Sequence, residues 1–139
     1  MKILIDTNVI LDVLIDRKDF AEPAQKIFKL CEVKKVEGFI SALSIPNIVY
    51  IMRKELDRDK IKNILNKLTL IFNVADLKSD DLIAASEMNF NDYEDAVHCA
   101  QATRIKADYI VTRNTKDFDK SKISVITPQD FIKIIKPLG

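Results

Sequence analysis

The first fourteen residues, MKILIDTNVILDVL, constrain the fold more tightly than any other stretch of the chain. Ile3, Leu4 and Ile5 form an apolar run with no polar alternation, the pattern of a short strand covered on both faces. Asp6 ends the run, Thr7 and Asn8 supply cap chemistry, and Val9, Ile10, Leu11, Val13 and Leu14 resume the apolar pattern at helical spacing. A carboxylate is thereby placed at the carboxyl end of a buried strand, where the chain turns into a helix. In open parallel α/β sheets ligands bind at that edge. A strand-end aspartate can equally serve as a plain helix cap, with Asn8 and Asp12 as ordinary polar residues, so Asp6 alone leaves both roles open.

The remainder of the chain alternates between the two periodicities. Pro23 suits a first helical position, and Ala24, Ile27, Phe28 and Cys31 follow it at helical spacing up to Gly38. Gly38 to Ala42 reads as a second strand, and Ser44 with Pro46 opens a helix carrying Ile48, Val49, Ile51 and Met52. Asp57 to Leu68 is amphipathic, and Leu70 to Val74 reads as a third strand. Ser79 suits the cap of a helix containing Leu82, Ile83 and Ala85, and an alanine-rich helix runs from Tyr93 to about Lys106. Tyr109 to Thr112 and Ile123 to Ile126 are the fourth and fifth strands, and Thr127-Pro128-Gln129-Asp130 opens the last helix as a capping box with Asp in the place usual for Glu. Such alternation calls for a parallel sheet of about five strands with helices on both faces, joined by right-handed crossovers.

At 139 residues the chain is most simply one domain spanning 1–139, large enough to bury a core without staples. No apolar run approaches the roughly 20 residues needed to span a bilayer, and Asp6 interrupts the N-terminus too early for a signal peptide, so a cytoplasmic address with no membrane contact is expected. Cys31 and Cys99 form no CxxC pair and read as buried small hydrophobes. With only two glycines, Gly38 and Gly139, a glycine-rich phosphate loop is excluded. A net charge of +1 excludes nucleic-acid binding by bulk electrostatics and requires a local patch. The candidate patches are Arg53 to Lys62 and the region of Arg104, Lys106, Arg113 and Lys116, most of which also suit solvated helix faces. Tyr93 and Phe118 read as packing residues, and a basic surface interleaved with aromatics is not expected.

Side-chain oxygens cluster at four element boundaries: Asp6, Asn47, the DYED segment from Asp92 to Asp95, and TRNTKDF from Thr112 to Phe118. In a parallel sheet the ends of the first and fourth strands share an edge, where Asp6 can meet Asn114 or Asp117. Asp92 and Asp95, three apart, lie on one face of the helix that begins there. Several carboxylates in one cleft raise one another's pKa unless a cation neutralises them. A hard divalent ion such as Mg²⁺ or Mn²⁺, bound by one or two carboxylates and by substrate phosphate, is the natural answer. The chemistry this suggests is metal-assisted phosphoryl transfer or hydrolysis. His98 is the only histidine, which excludes a histidine-rich zinc centre, and its place inside an alanine-rich helix favours a packed role over a catalytic one.

Together, KILIDTNVILDVL, DYEDAVHCAQA and YIVTRNTKDF resemble the PIN-domain family, including its VapC-type toxins of bacterial toxin–antitoxin pairs, in order and spacing across nearly the whole chain. The resemblance implies a three-layer α/β/α sandwich around a parallel sheet and a Mg²⁺- or Mn²⁺-dependent endoribonuclease. Carried onto this sequence, it makes Asp6 and Asp95 metal ligands, with Asp92 as helper; the family's last acid falls closest to Asn114, and Asp117, three residues later, is the charged contributor. Asn8, Asn47, Thr112 and Asn114 would position water or phosphate oxygen, and Arg113 would steady the RNA backbone. A small antitoxin and a homodimer are implied as partners. One departure stands out. Many family members carry an acidic residue, usually glutamate, where this chain has Asn47, and asparagine brings neither charge nor a general base. The replacement bears directly on metal affinity and nuclease activity, for which Asp92, Glu94 or Asp117 are the compensating candidates. It also favours the main rival, a catalytically silent PIN-fold module that binds RNA or protein. A phosphoryl-accepting domain of the response-regulator kind ranks last, because it needs paired acids just after the first strand and this chain has Asp6 followed by Thr-Asn.

Overall fold

The apolar run after Met1 forms β1 (Lys2–Ile5), whose Ile3, Leu4 and Ile5 are almost wholly excluded from solvent. The structure is a computed structural model that describes residues 1–135. Four further strands follow, β2 (Glu37–Ser41), β3 (Asn73–Ala75), β4 (Tyr109–Val111) and β5 (Ser124–Ile126). They pair in parallel in the order β3-β2-β1-β4-β5, with Ile5 level with Ile40 on one side and with Val111 on the other. The helices among the described residues are α1 (Thr7–Leu14), α2 (Ala21–Glu32), α3 (Ser44–Met52), α4 (Arg58–Ile71), α5 (Ser79–Glu87), α6 (Tyr93–Arg104) and α7 (Pro128–Ile135), with a 3-10 turn at Thr115–Phe118. None is long and apolar enough to cross a membrane.

Strand alternation sorts the core into two sides. Ile3 and Ile5 pack with Val9, Ile10, Ala24, Ile27, Ile48, Leu68 and Phe131, which come from α1, α2, α3, α4 and α7. Leu4 points the opposite way, against Cys99 and Ala102 of α6 and Phe118. The result is the expected α/β/α sandwich, and each such buried aliphatic side chain contributes about 1.5–3 kcal/mol of hydrophobic stabilisation. Because β2 and β3 extend from one side of β1 while β4 and β5 extend from the other, the strand order reverses beside β1. The crevice this leaves at the carboxyl ends of β1 and β4 is where open α/β sheets hold ligands.

Several local expectations need correction. The third strand begins at Asn73 rather than Leu70, because α4 runs on through Ile71. Ile64, Leu68 and Ile71 continue one apolar stripe, whereas Leu70 is 76% exposed on the other side of the helix. Pro23 lies at the third position of α2, whose helix opens at Ala21. Ser79 begins α5 but does not cap it; the Asp81 carboxylate does so by accepting the Lys78 backbone N–H at 3.0 Å.

Gly38 is required by space rather than by backbone angle. A Cβ there would lie 2.6 Å from Cys31 Sγ and 2.8 Å from Phe72 Cδ1, so the absent side chain lets α2 and Phe72 close on β2. With so few glycines, three helices end on left-handed residues of other types: Asp16 after α1, Lys34 after α2 and Lys106 after α6. After α6, the Lys106 N–H donates to Thr103 and the Ala107 N–H to Ala102, the paired bonds of a Schellman stop.

Candidate metal centre

The first component of the site follows from how α1 starts. Asp6 takes the cap position with extended backbone, and its carbonyl accepts the Val9 and Ile10 N–H groups at 3.0 and 3.4 Å. Its carboxylate does no capping. Instead Oδ2 accepts the Thr112 hydroxyl at 2.8 Å, and the same hydroxyl oxygen accepts the Asn114 N–H at 3.1 Å. The strand ends therefore meet: Asp6 leaves β1, Thr112 leaves β4, and a hydrogen bond joins them in the buried crevice.

The second component is α6, which starts beside that crevice. Asp92 caps it by accepting the Asp95 N–H at 3.2 Å. Helical spacing then stacks Asp95 and His98, three apart, and Glu94 and His98, four apart, on one face. Fully buried Gln101 fixes the helix to the sheet: its Oε1 accepts the Ser41 hydroxyl at 2.6 Å, and its Nε2 donates to the Ala75 and Asp76 carbonyls. Arg104 ties α6 to α5 through a two-armed contact with Asp81, 2.9 Å on each arm.

One oxygen or nitrogen each from Asp6, Asp95 and His98 lies within 4.8 Å of the others. Asp6 and Asp95 border a cavity of about 310 Å³ lined also by Asn8, Asn47, Tyr50, Asp92 and Glu94, while His98 lies buried beside Asp6. Two of these neighbours touch: the Asn47 Nδ2 donates to Glu94 Oε1 at 3.2 Å. His98 is 2% exposed, and neither ring nitrogen has a hydrogen-bond partner. Its Nδ1 is 3.6 Å from Asp6 Oδ1 and its Nε2 is 4.0 Å from Glu94 Oε1, ion-pair distances too long for hydrogen bonds.

The two aspartates respond to this setting in opposite directions. Burial pushes the Asp6 carboxyl upward, but His98, the Thr112 hydroxyl and the Thr7 backbone N–H together hold it below the ordinary carboxylate range. Since the His98 approach is long, the Thr112 bond is the firmest of these contributions. Asp95 is pushed up to about 7, first by burial and then by the fields of Asp92, Asp6 and Asp117, with only His98 opposing. A repelled carboxylate beside an ionised one and an orphaned buried imidazole are the donor set a divalent cation satisfies, so the residues fit such an ion.

The remaining expected residues divide. Asn8, Asn47, Asp92 and Asp95 share the Asp6 cavity. Asp117 is exposed on the 3-10 turn and reaches Asp95 through its field, and Asn114 is exposed just before that turn. Thr112 is buried, with its hydroxyl committed to Asp6. Arg113 grips fully buried Asp12 at 2.8 and 3.1 Å and lies 4.0 Å above the Phe20 ring, a structural engagement that the sequence reading missed. Two further residues were undervalued. Glu94 lines the cavity, and buried His98 lies between Asp6 and Glu94 with both ring nitrogens unpartnered; the signal was their placement one turn apart on a helix that opens with acids. The expected absence of a basic aromatic surface also needs correction. Tyr50 is 54% exposed at the cavity, with Arg53 4.3 Å and Lys54 5.5 Å from its ring centre, because α3 turns that face outward. Tyr93 is likewise half exposed, its hydroxyl donating to the Leu82 carbonyl.

Residues 2–116 match the family model described as PIN domain. Among curated proteins no sequence matches. Among solved structures, the chain is similar to VapBC2 from Rickettsia felis bound to a DNA fragment from its promoter, at a TM-score of 0.71 and 15% identity over 91% of this chain and 98% of that one. FitAcB from Neisseria gonorrhoeae gives a TM-score of 0.69 at 18% identity, covering 91% and 98%. A toxin–antitoxin complex from Klebsiella pneumoniae gives 0.67 at 22% identity, covering 90% and 96%. At these identities the likenesses speak for the fold.

Proposed function

This chain belongs to the PIN-domain family, and on that premise we propose that it is a metal-dependent endoribonuclease acting as the toxin of a toxin–antitoxin pair. The observation that carries the proposal is the Asp6–Asp95–His98 group at the carboxyl edge of β1, with Asp6 and His98 buried and Asp6 and Asp95 lining a polar cavity. Asp6 and Asp95 hold the ion, and Asp92 and Asp117 add negative charge around it. When bound, Mg²⁺ or Mn²⁺ neutralises the carboxylates and supplies Lewis-acid activation of water and phosphate. The chain's own residues do the rest. Thr112 keeps Asp6 oriented and ionised. The amide groups of Asn8, Asn47 and Asn114 donate to phosphate oxygens, while Tyr50 offers a face to an unstacked base and Arg53 and Lys54 steady the adjoining backbone.

Support for an antitoxin partner comes from the structural neighbours, which were solved as toxin–antitoxin complexes. We further propose that the protein works in the cytoplasm as a homodimer with a small antitoxin as partner, as the resemblance of its motifs implies. Asn47, in place of the usual acid, is the observation that favours a second role, an RNA- or protein-binding module that does not cut. Cleavage of a mixed panel of single-stranded and structured RNAs separates the two, using the unmodified chain and Asp6→Asn with Mg²⁺, Mn²⁺ or chelator. Cutting that needs metal and disappears in the variant supports the nuclease; binding without cutting, by folded protein free of inhibitor, supports the module.

A further inference from the structure

We propose that His98 is itself a ligand of the cation centre, giving it a mixed oxygen–nitrogen donor set that selects Mn²⁺ or another first-row transition ion over Mg²⁺, with Glu94 and Asn47 behind it as positioning residues. The proposal rests on the metal-binding reading above and specifies its chemistry. Its basis is the state of the ring. A 2% exposed imidazole with both nitrogens unpartnered leaves buried polar groups whose desolvation is uncompensated unless something meets them. The side chains around it are Asp6 on the Nδ1 side and Glu94 on the Nε2 side, at 3.6 and 4.0 Å, neither close enough to take a hydrogen bond. A cation with bonds of about 2.1 Å spans donors up to roughly 4 Å apart, so the 4.8 Å group of Asp6, Asp95 and His98 closes on one with side-chain adjustments of under about 1 Å.

Asn47 then has a use that an acid at the same position would not have. Its amide donates to Glu94 Oε1 and holds that carboxylate beside His98 Nε2. At 4.0 Å that carboxylate acts on the ring through its field, favouring the tautomer that carries its proton on Nε2 and leaves the Nδ1 lone pair toward Asp6. The donor type sets the ion. Mg²⁺ keeps to oxygen and water, whereas imidazole favours transition ions along the Irving–Williams series.

His98 is the chain's only histidine, which makes the test direct. Pulsed EPR of untagged protein loaded with Mn²⁺ alone should show imidazole nitrogen coupling that changes when histidine is labelled with ¹⁵N. His98→Gln should weaken Mn²⁺ binding about 10- to 100-fold and Mg²⁺ binding less than about threefold. Asn47→Ala should weaken Mn²⁺ binding several-fold while the nitrogen coupling persists. Bound Mn²⁺ without imidazole coupling, or equal losses for both ions in a folded His98→Gln, would overturn the assignment of His98 and leave the carboxylate centre standing. Failure of the unmodified protein to bind Mn²⁺ at all would overturn both.

Discussion

Replacing Asp95 by asparagine should make the metal-free protein more stable and unable to hold its cation. A carboxyl that titrates at about 7 instead of 3.8 disfavours the ionised folded state by about 4 kcal/mol at pH 8, taking about 1.4 kcal/mol per pH unit. Asp95 is only partly buried and solvent screens its neighbours, so about 2 kcal/mol is a realistic gain from removing the charge. For a chain of 139 residues that is a rise in Tm of about 6 °C. The sign follows from linkage. Because the folded-state pKa is raised, folded Asp95 keeps a proton that the unfolded chain releases between about pH 4 and 7, so stability falls as pH rises through that window. Asp6 has the opposite sign. Its pKa is lowered, so its contribution is complete above about pH 4, is lost only on further acidification, and does not mask the Asp95 trend. Thermal melts in chelator from pH 5 to 8 should show the unmodified chain losing stability relative to Asp95→Asn. Added Mn²⁺ should raise the Tm of the first and not the second. Parallel curves, or a variant that melts lower at pH 8, would refute the repulsion assigned to Asp95.

Four other outcomes follow from the same geometry. Cation affinity measured by titration calorimetry should rise close to tenfold per pH unit below pH 7 and flatten above it, with about one proton released per ion, because Asp95 must ionise to bind. Thr112→Val removes the hydroxyl between Asp6 and the Asn114 N–H and should cost about 1–3 kcal/mol in denaturant melts. Gly38→Ala should destabilise by about 1–3 kcal/mol in the same assay, since its Cβ meets Cys31 and Phe72 inside contact distance. Lys106→Gly relieves a left-handed lysine at an exposed helix stop and should add about 0.5–1 kcal/mol to the unfolding free energy from the same melts.

Much of the fold was legible because its signals are local. Ile3 to Ile5 could only be a covered strand, and strand–helix alternation leaves few topologies besides a parallel sheet between helices. The boundary at Leu70 was misjudged because an apolar run at the end of an amphipathic helix looks like a strand until burial shows Leu70 facing solvent. Asp6, Asp92 and Asp95 were legible as a group from their places at element starts. His98 was not, since a histidine among alanines looks packed, and only the absence of partners for both nitrogens marks it out. The Arg113–Asp12 pair was hidden for the reverse reason. The resemblance implied a role on the RNA backbone for Arg113, while three-dimensional proximity pairs its guanidinium with Asp12, about a hundred residues earlier. Tyr50 was passed over because its apolar neighbours in α3 hid the outward face it shares with Arg53 and Lys54.

The central claim is that the crevice between β1 and β4 is a cation centre. Its most direct test is an anomalous difference map, at the manganese edge, of crystals of the unmodified protein equilibrated with Mn²⁺. The account predicts a peak bonded to Asp6, Asp95 and His98 that is absent from Asp95→Asn crystals. Saturating Mn²⁺ with no peak there, or a peak that persists unchanged in the variant, would contradict it.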